Sequence, residues 1–209
     1  MVDRHRVFIS YFHKDDQDYK DYLINMKYYD DDEAVYKSIF DDYSVRENDI
    51  DDAGMTSEQI RCEIRDNYIK DATVLILLCG KNTKYRKHID WELHAAMYKN
   101  NVKDQLGILV INLPTISQHF RACDEEEKTI EADCGSWIEL RTRQEYDKCY
   151  PYMPSRVIDS FVNGANISVV NWNRIENNPE RLMVLIDKAF DRRNSNTYDD
   201  SAPLRRNNS

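Results

Sequence analysis

The sequence has few of the features that mark metal-binding or disulfide-stabilised proteins. Its five cysteines are widely spaced and odd in number, and no two of them form a CxxC pair. We therefore expect free, mostly buried thiols rather than a structural zinc site or a disulfide framework. The pattern GxxxxGK[ST] is also absent, because "CGKNT" at 79–83 is too short to match it, which excludes a P-loop nucleotide enzyme.

Long apolar runs and linkers are missing as well. The longest apolar run, "ATVLILLC" at 72–79, is far shorter than the roughly 20 residues of a membrane span. The N-terminus has no apolar signal-peptide core, so we expect a cytoplasmic protein. No repeat or Gly/Ser/Pro linker divides the chain. We predict one domain over 1–193, with a core at 5–113 and an elaborated part at 114–193, followed by a polar, flexible tail at 194–209.

The net charge of −9 limits the partners of the protein. Acidic residues gather at 29–33, 40–42, 48–52 and 123–127. Such a surface repels a polyphosphate backbone, so nucleic acid is a poor candidate partner, whereas a small ligand with little charge stays open. The acidic runs suggest either a divalent-metal site or, as the commoner explanation, a solvated acidic face.

Strand and helix patterns alternate over the first half of the chain. Strands are predicted at 6–11, 34–40, 72–79 and 106–113, and helices at 14–29, 56–69 and 88–97, with Thr56 and Gln59 forming a capping box. This βαβαβαβ order predicts a parallel sheet with helices on both faces, flavodoxin-like or Rossmann-like. Ligands of such folds bind at the carboxyl ends of the strands, here 10–13, 41–44, 80–83 and from 112 onward.

Beyond Pro114 the pattern is weaker. We predict a short helical piece at 115–120, an exposed acidic loop at 123–135, strands at 136–140 and 167–172, and a closing helix at 179–193.

The helix that follows the 72–79 strand carries a conspicuous glutamate. Projected at 100° per residue, Glu92 borders the apolar stripe of the helix, about 60° from Ile89, while Trp91 lies almost opposite Ile89. Glu92 also lies one or two turns after a strand's carboxyl end, where doubly wound folds bind ligands. Position alone leaves two interpretations, a site carboxylate or a snorkelling or helix-dipole-pairing residue.

Four segments in order resemble a known family. "RVFISYFHKDD" (6–16), "IFDDYS" (39–44), "ATVLILLCGKNTKYRKHIDWELHAAM" (72–97) and "LGILVINL" (106–113) resemble the TIR-like family typified by the Thoeris antiphage system. The resemblance covers about residues 5–192 and implies a flavodoxin-like TIR fold. It also implies a role in bacterial antiphage defence.

By this resemblance the substrate is NAD, with no further cofactor and no metal. The "WE" pair matches the helix in which TIR enzymes carry their essential glutamate, so Glu92 is the expected catalytic residue. The same match puts Ser10, Tyr11, Phe12 and His13 against the ligand and makes Asp41 and Ser44 candidates in the loop after the second strand. His88 stands where many TIR enzymes have Trp or Cys. Trp91 either stacks on a base or packs against a neighbour.

The resemblance further implies a product and partners. Part of the NAD would be recyclised into a cyclic ADP-ribose isomer that diffuses to a separate effector. From the family's assembly behaviour we expect homo-oligomers. We expect no membrane partner.

Three rivals compete with the enzyme. A non-catalytic TIR-like assembly module would keep the fold but tolerate loss of Glu92. A phosphoacceptor receiver domain needs an aspartate at the end of the third strand, where this chain has Cys79 and Gly80. A metal-dependent hydrolase would use the acidic runs, but these lack a histidine at useful spacing.

Overall fold

A five-stranded parallel sheet organises the protein. The computed structural model describes residues 4–44, 54–99, 104–116 and 140–205. The sheet strands are β1 (Arg6–Ser10), β4 (Asp41–Asp42), β5 (Val74–Cys79), β6 (Gly107–Asn112) and β7 (Ser168–Asn171), in the order β4-β1-β5-β6-β7. Every neighbouring pair is parallel, which confirms the flavodoxin-like α/β prediction.

Helices cover both faces of this sheet. The helices are α1 (His13–Asn25), α2 (Ser57–Glu63) with a π-helical continuation (Ile64–Tyr68), α3 (Lys87–Met97), α4 (Arg143–Cys149), α5 (Ser155–Val162) and α6 (Pro179–Arg192). Two 3₁₀ turns, Thr83–Tyr85 and Trp172–Arg174, follow β5 and β7. Alternate strand residues face opposite ways, so the sheet divides the core in two. One half packs on α2, α3 and α5, and the other on α1 and α6.

The second parallel strand is not where the sequence predicted it. Most of the 34–40 segment belongs to β3 (Val35–Ser38), which pairs antiparallel with β2 (Lys27–Asp30) in a separate hairpin. The strand that joins the main sheet is the two-residue β4. The physical reason is burial: Val35 and Tyr36 are exposed, whereas Ile39 and Phe40, just before β4, are buried.

The hairpin also shortens α1, which ends at Asn25 rather than at Tyr29. Its turn is closed by the Asp30 carboxylate, which accepts the backbone N–H groups of Asp32 and Glu33. A side chain of this kind closes a turn and competes with helix continuation.

Other predictions compare well with the structure. The Thr56–Gln59 capping box is present, and β7 and α6 agree with the late strand and closing helix. The structure adds α4 and α5, which the sequence pattern did not predict. The predicted loop at 123–135 lies outside the described residues, as do the strand at 136–140 apart from Leu140 and the helical piece at 115–120 beyond Ile116. In the described part of the chain, no helix has the length and apolarity to span a membrane.

Residues 194–205, which were predicted to belong to a polar, flexible tail, contact the domain in the structure. Asn196, Tyr198 and Leu204 are buried there, and Tyr198 and Leu204 belong to the core beside α3. The low hydrophobicity of the segment hid this, because its packing relies on a few well-spaced residues and on backbone hydrogen bonds. The folded unit therefore extends past the predicted boundary at 193.

Candidate functional site

A buried carboxylate meets the carboxyl end of the central strands. Glu92 lies on α3 and is only 7% exposed. The Ser10 hydroxyl, at the last residue of β1, donates a hydrogen bond to Glu92 Oε2 at 2.6 Å. The two residues are 82 positions apart, so the pair forms only when α3 packs against the end of β1. Both residues were predicted for the site, and the structure brings them into contact.

Burial raises the pKa of the Glu92 carboxyl. Desolvation raises its pKa from 4.5 to about 7, and the hydrogen bond from Ser10 opposes this rise. A carboxyl in this range holds and releases a proton near neutral pH, which suits either electrostatic stabilisation or proton transfer.

The loop from β1 to α1 borders this pair. The Tyr11 ring is stacked on the His13 ring at a centroid distance of 4.3 Å, and the Tyr11 hydroxyl donates to Gln17 Oε1 at 2.8 Å. Burial raises the pKa of Tyr11 to about 12, so it stays a neutral donor. Phe12 lies half-buried under the guanidinium of Arg86, 3.7 Å from the ring centroid. These three predicted residues directly follow Ser10 in the chain.

The two candidate residues after the second strand, Asp41 and Ser44, lie at different levels of β1. The Ser44 hydroxyl accepts a hydrogen bond from the backbone N–H of Ile9 at 3.0 Å and donates one to Asp42. Ser44 therefore lies close to Ser10, which follows Ile9. Asp41 instead pairs in register with Arg6, at the amino end of β1, and forms an ion pair with Arg4. Ser10 lies four residue steps further along β1 than Arg6, a distance of about 13 Å. The structure therefore places Asp41 away from Ser10 and Glu92, because β4 joins β1 at its start.

His88 and Trp91 have different environments on α3. His88 is exposed at the start of the helix, with its ring 4.9 Å from that of Trp91. Trp91 is fully buried in the core, and its indole N–H donates to the backbone oxygen of Arg205 at 2.6 Å. Two roles were left open for Trp91, stacking on a base or packing against a neighbour, and in the structure its side chain packs in the core. The helical projection missed this because the segment 194–205 covers that face of α3.

Two neighbours of the site are not among the residues that the sequence predicted for it. The buried Nε of Arg86 has no hydrogen-bond partner within the described ranges, although its guanidinium stacks on Phe12. Asp16 is 2% exposed and lies against Gly80, where an added Cβ would sit 2.9 Å from Asp16 Oδ1. Burial, and then the charge of Asp15, raise the pKa of Asp16 to about 6. The sequence signal for Asp16 was only an acidic first helical turn, which does not distinguish it from the exposed Asp15.

The arrangement suits chemistry that needs one tuned carboxylate. No group of three or more His, Cys, Asp or Glu side chains placed to hold a metal occurs among residues 4–44, 54–99, 104–116 and 140–205. Of the cysteines in those ranges, Cys79 is buried, Cys149 is half-buried and Cys62 is exposed, and all three are free. What the described residues offer is a buried carboxylate, a serine donor, aromatic rings and one stacked arginine.

Comparison with known proteins identifies the family. The model of the family described as "Thoeris protein ThsB, TIR-like domain" matches residues 8–118, just over half of the chain. The match contains the last three residues of β1, the 10–13 loop, Ser44, Arg86 and all of α3 with Glu92. Neither the curated proteins nor the solved structures that were compared gave a match. The chain belongs to the TIR-like domain family of the Thoeris protein ThsB, a family of antiphage defence.

Proposed function

We propose that this protein cleaves the bond between nicotinamide and ribose in NAD, with Glu92 as the catalytic residue. The observation that carries the proposal is the Glu92 carboxylate, buried at the carboxyl end of β1 and hydrogen-bonded by Ser10 at 2.6 Å. Membership of the TIR-like family supports it further, since the match includes both residues.

The chemistry explains why one carboxylate is enough. Nicotinamide in NAD is a cationic pyridinium, and it leaves as a neutral molecule when it takes the electron pair of the C1′–N bond. No general acid is needed, unlike in ordinary glycosidases, which use two carboxyl groups. The positive charge that develops on the ribose ring is stabilised by a negative group held in place before the reaction. In this scheme the ionised Glu92 is that group, and Ser10 fixes its orientation.

The raised pKa gives Glu92 a second use. An oxygen nucleophile, from water or from a ribose hydroxyl, must lose a proton when it bonds to C1′. A carboxylate whose pKa is about 7 accepts that proton more readily than an ordinary glutamate. Electrostatic stabilisation and proton acceptance both require the ionised form.

The surrounding residues fit a dinucleotide. Tyr11, Phe12, His13, Ser44 and the exposed His88 are the proposed contacts for the ribose and the bases. Arg86, stacked on Phe12 with a buried Nε that has no partner among the described residues, is a nearby cation suited to the diphosphate. The buried Trp91 supports α3 from behind instead of contacting the substrate in this proposal.

We further propose that the product is a cyclic ADP-ribose isomer that diffuses to an effector. A hydroxyl of the second ribose attacks C1′, one C–O bond replaces the C–N bond, and the hydroxyl proton passes to Glu92. Reaction in ¹⁸O-labelled water distinguishes this from hydrolysis. Cyclisation leaves the product mass unlabelled, whereas hydrolysis gives ADP-ribose with one ¹⁸O atom. Labelled ADP-ribose as the only product would rule out cyclisation while leaving the cleavage proposal intact.

Cleavage itself is tested with purified protein and NAD. Nicotinamide and nucleotide products are separated by chromatography and identified by mass. The Glu92→Gln variant keeps the shape of the side chain but cannot ionise, and we expect it to lose at least about 10³-fold in rate. Glu180→Gln makes the same chemical change at an exposed position of α6 and should keep the wild-type rate. Equal rates for the wild type and Glu92→Gln would refute the assignment.

One observation favours the assembly module as a second candidate. The β2–β3 hairpin exposes Tyr36 (75%), Tyr29 and Val35, and the two tyrosine rings pack edge-on at 5.1 Å. Exposed aromatic residues of this kind are common in interfaces. Light scattering of the wild type and a Tyr36→Ser variant tests it. A concentration-dependent oligomer that the variant loses, with no NAD turnover, would favour assembly over catalysis.

A further inference from the structure

The segment 194–205, here called the C-terminal strap, is fixed to the domain at both ends. At its start, Asn196 exchanges hydrogen bonds with the backbone of Asn166, and its carbonyl accepts from Gln105 Nε2. Tyr198 donates to the backbone oxygen of Leu106, whose own N–H donates to Ala96 in α3. At its end, Leu204 is buried in the core that contains α3.

The end of the strap converges on the turn of α3 that carries Glu92. Asp90 accepts the backbone N–H of Arg205 at 2.9 Å through Oδ2. The neighbouring Trp91 donates its indole N–H to the Arg205 carbonyl at 2.6 Å. One strap residue thus holds the two helix residues immediately before Glu92. The Arg205 side chain adds a hydrogen bond to the backbone oxygen of Lys84, just upstream of α3.

Arg156 connects this contact to α5. Its side chain is 1% exposed and binds both carboxylate oxygens of Asp90, at 3.0 and 3.1 Å. The same guanidinium donates to the backbone oxygens of Ala202 and Pro203 in the strap. A buried, two-pronged Arg–carboxylate pair fixes both distance and angle, which a lysine cannot reproduce.

The N-terminal end of α3 is not closed by a capping side chain among the described residues. Its N-cap, Arg86, makes no side-chain capping bond, whereas α2 and α4 begin with complete capping boxes at Thr56 and Thr142. The first N–H groups of a helix lack internal partners, so an uncapped end is free to fray or shift. The strap therefore holds the end of α3 that carries Glu92.

We propose that the C-terminal strap, acting through Asp90, is a positioning element that sets Glu92 for its reaction. The effect on the reaction of Glu92 rests on the proposed function. The structural part, that the strap holds the start of α3, rests on the contacts alone. Glu92 follows Asp90 by two residues, so a shift of this turn moves the carboxylate relative to Ser10 and the substrate. Misplacement by about 1 Å is enough to lower a rate about 10²-fold.

The test uses full-length variants that break the route at two places. Arg156→Met removes the guanidinium but keeps its length and suits its buried surroundings. Arg205→Pro removes the N–H that Asp90 accepts, and Arg205→Ala keeps that N–H while removing the side chain. Ser201→Ala is the control on the strap, since Ser201 is exposed and its hydrogen bonds go to Asp199. The readouts are kcat and KM for NAD and amide hydrogen exchange of residues 88–97.

We expect Arg156→Met and Arg205→Pro to lower kcat about 10- to 100-fold, with KM within about twofold, and to speed exchange at the start of α3. Ser201→Ala should stay near wild type in both readouts, and Arg205→Ala, which loses the bond to Lys84 but keeps the one to Asp90, should show a clearly smaller loss than Arg205→Pro. A general loss of folding would instead change exchange throughout the chain. If Arg156→Met does not fold, the Arg205→Pro and Arg205→Ala pair decides.

Three results would each overturn the inference. The first is wild-type kcat and wild-type exchange of α3 in both Arg156→Met and Arg205→Pro. The second is an equal loss of kcat in Arg205→Pro and Arg205→Ala, and the third is an equal loss of kcat in Ser201→Ala. If the wild type does not turn NAD over, the proposed function fails and α3 exchange alone decides. Faster exchange in the two breaking variants supports the strap's hold on α3, and unchanged exchange refutes it.

Discussion

Replacing Glu92 with glutamine should change how the stability of the protein depends on pH. The Glu92 pKa is raised in the folded state, from 4.5 to about 7, mainly by burial. Burial thus favours the neutral form, and its stabilising contribution is full below about pH 4.5 and is lost as the pH rises through about 7. Each pKa unit corresponds to about 1.4 kcal/mol, so the whole change is about 3 kcal/mol. Glutamine has the same shape and no titration.

The assay is urea unfolding of the wild type and Glu92→Gln at a series of pH values. All other titrating groups are shared, so the difference in free energy of unfolding isolates Glu92. We expect the wild type minus variant difference to fall by about 3 kcal/mol between about pH 4.5 and pH 8.5. For a chain of this size, that corresponds to a relative shift of roughly 6–12 °C in Tm. The variant should therefore gain stability relative to the wild type between about pH 4.5 and 7, and the difference should level off above pH 7.

The Glu180→Gln variant, which makes the same chemical change at an exposed position of α6, serves as the control. A flat difference for Glu92→Gln would refute the reasoning, because it would mean that the carboxyl ionises in the folded protein as easily as in the unfolded chain. A difference that grows with pH would reverse the sign and show that a buried charge partner stabilises the carboxylate.

Three further predictions concern the site and its scaffold. The value of kcat/KM for NAD should rise with pH through about 7, because the reaction needs the ionised Glu92 and this parameter reports the free enzyme; a profile flat from about pH 5 to 8 would contradict this. Ser10→Ala removes the hydrogen bond that lowers the Glu92 pKa, so the same profile should move to higher pH and the rate at pH 7 should fall about 10-fold. Gly107→Ala should destabilise the protein by about 3 kcal/mol or more in urea unfolding, because a Cβ there would lie 2.1 Å from the backbone oxygen of Ala189 in α6; a wild-type midpoint would disprove that packing.

The sequence predicted the central fold because its strands are strongly patterned. The apolar run before Gly80 and its partner at 106–113 are buried on both faces, and that kind of run is typical of central parallel strands. The edge strand was missed for the opposite reason. Asp41 and Asp42 have poor strand propensity, and their pairing with β1 depends on the burial of Ile39 and Phe40 beside them.

The arrangement of the candidate site could be predicted where it follows from the ends of strands. It could not be predicted where it depends on packing between distant parts of the chain. Ser10 and Glu92 both follow from the rule that ligands bind at carboxyl ends of strands, and the structure joins them. Asp41 lies away from Ser10 because its register with Arg6 is decided by the sheet and not by local pattern. The burial of Trp91 depends on Arg205, 114 residues away, which no helical projection includes.

Nicotinamide release from NAD, measured for the purified wild type beside Glu92→Gln, tests the central claim most directly. The account predicts release by the wild type, at least about 10³-fold slower release by the variant, and wild-type rates for Glu180→Gln. Release that persists unchanged in Glu92→Gln would contradict the role of Glu92, and no release by the concentrated wild type would contradict the proposed activity itself.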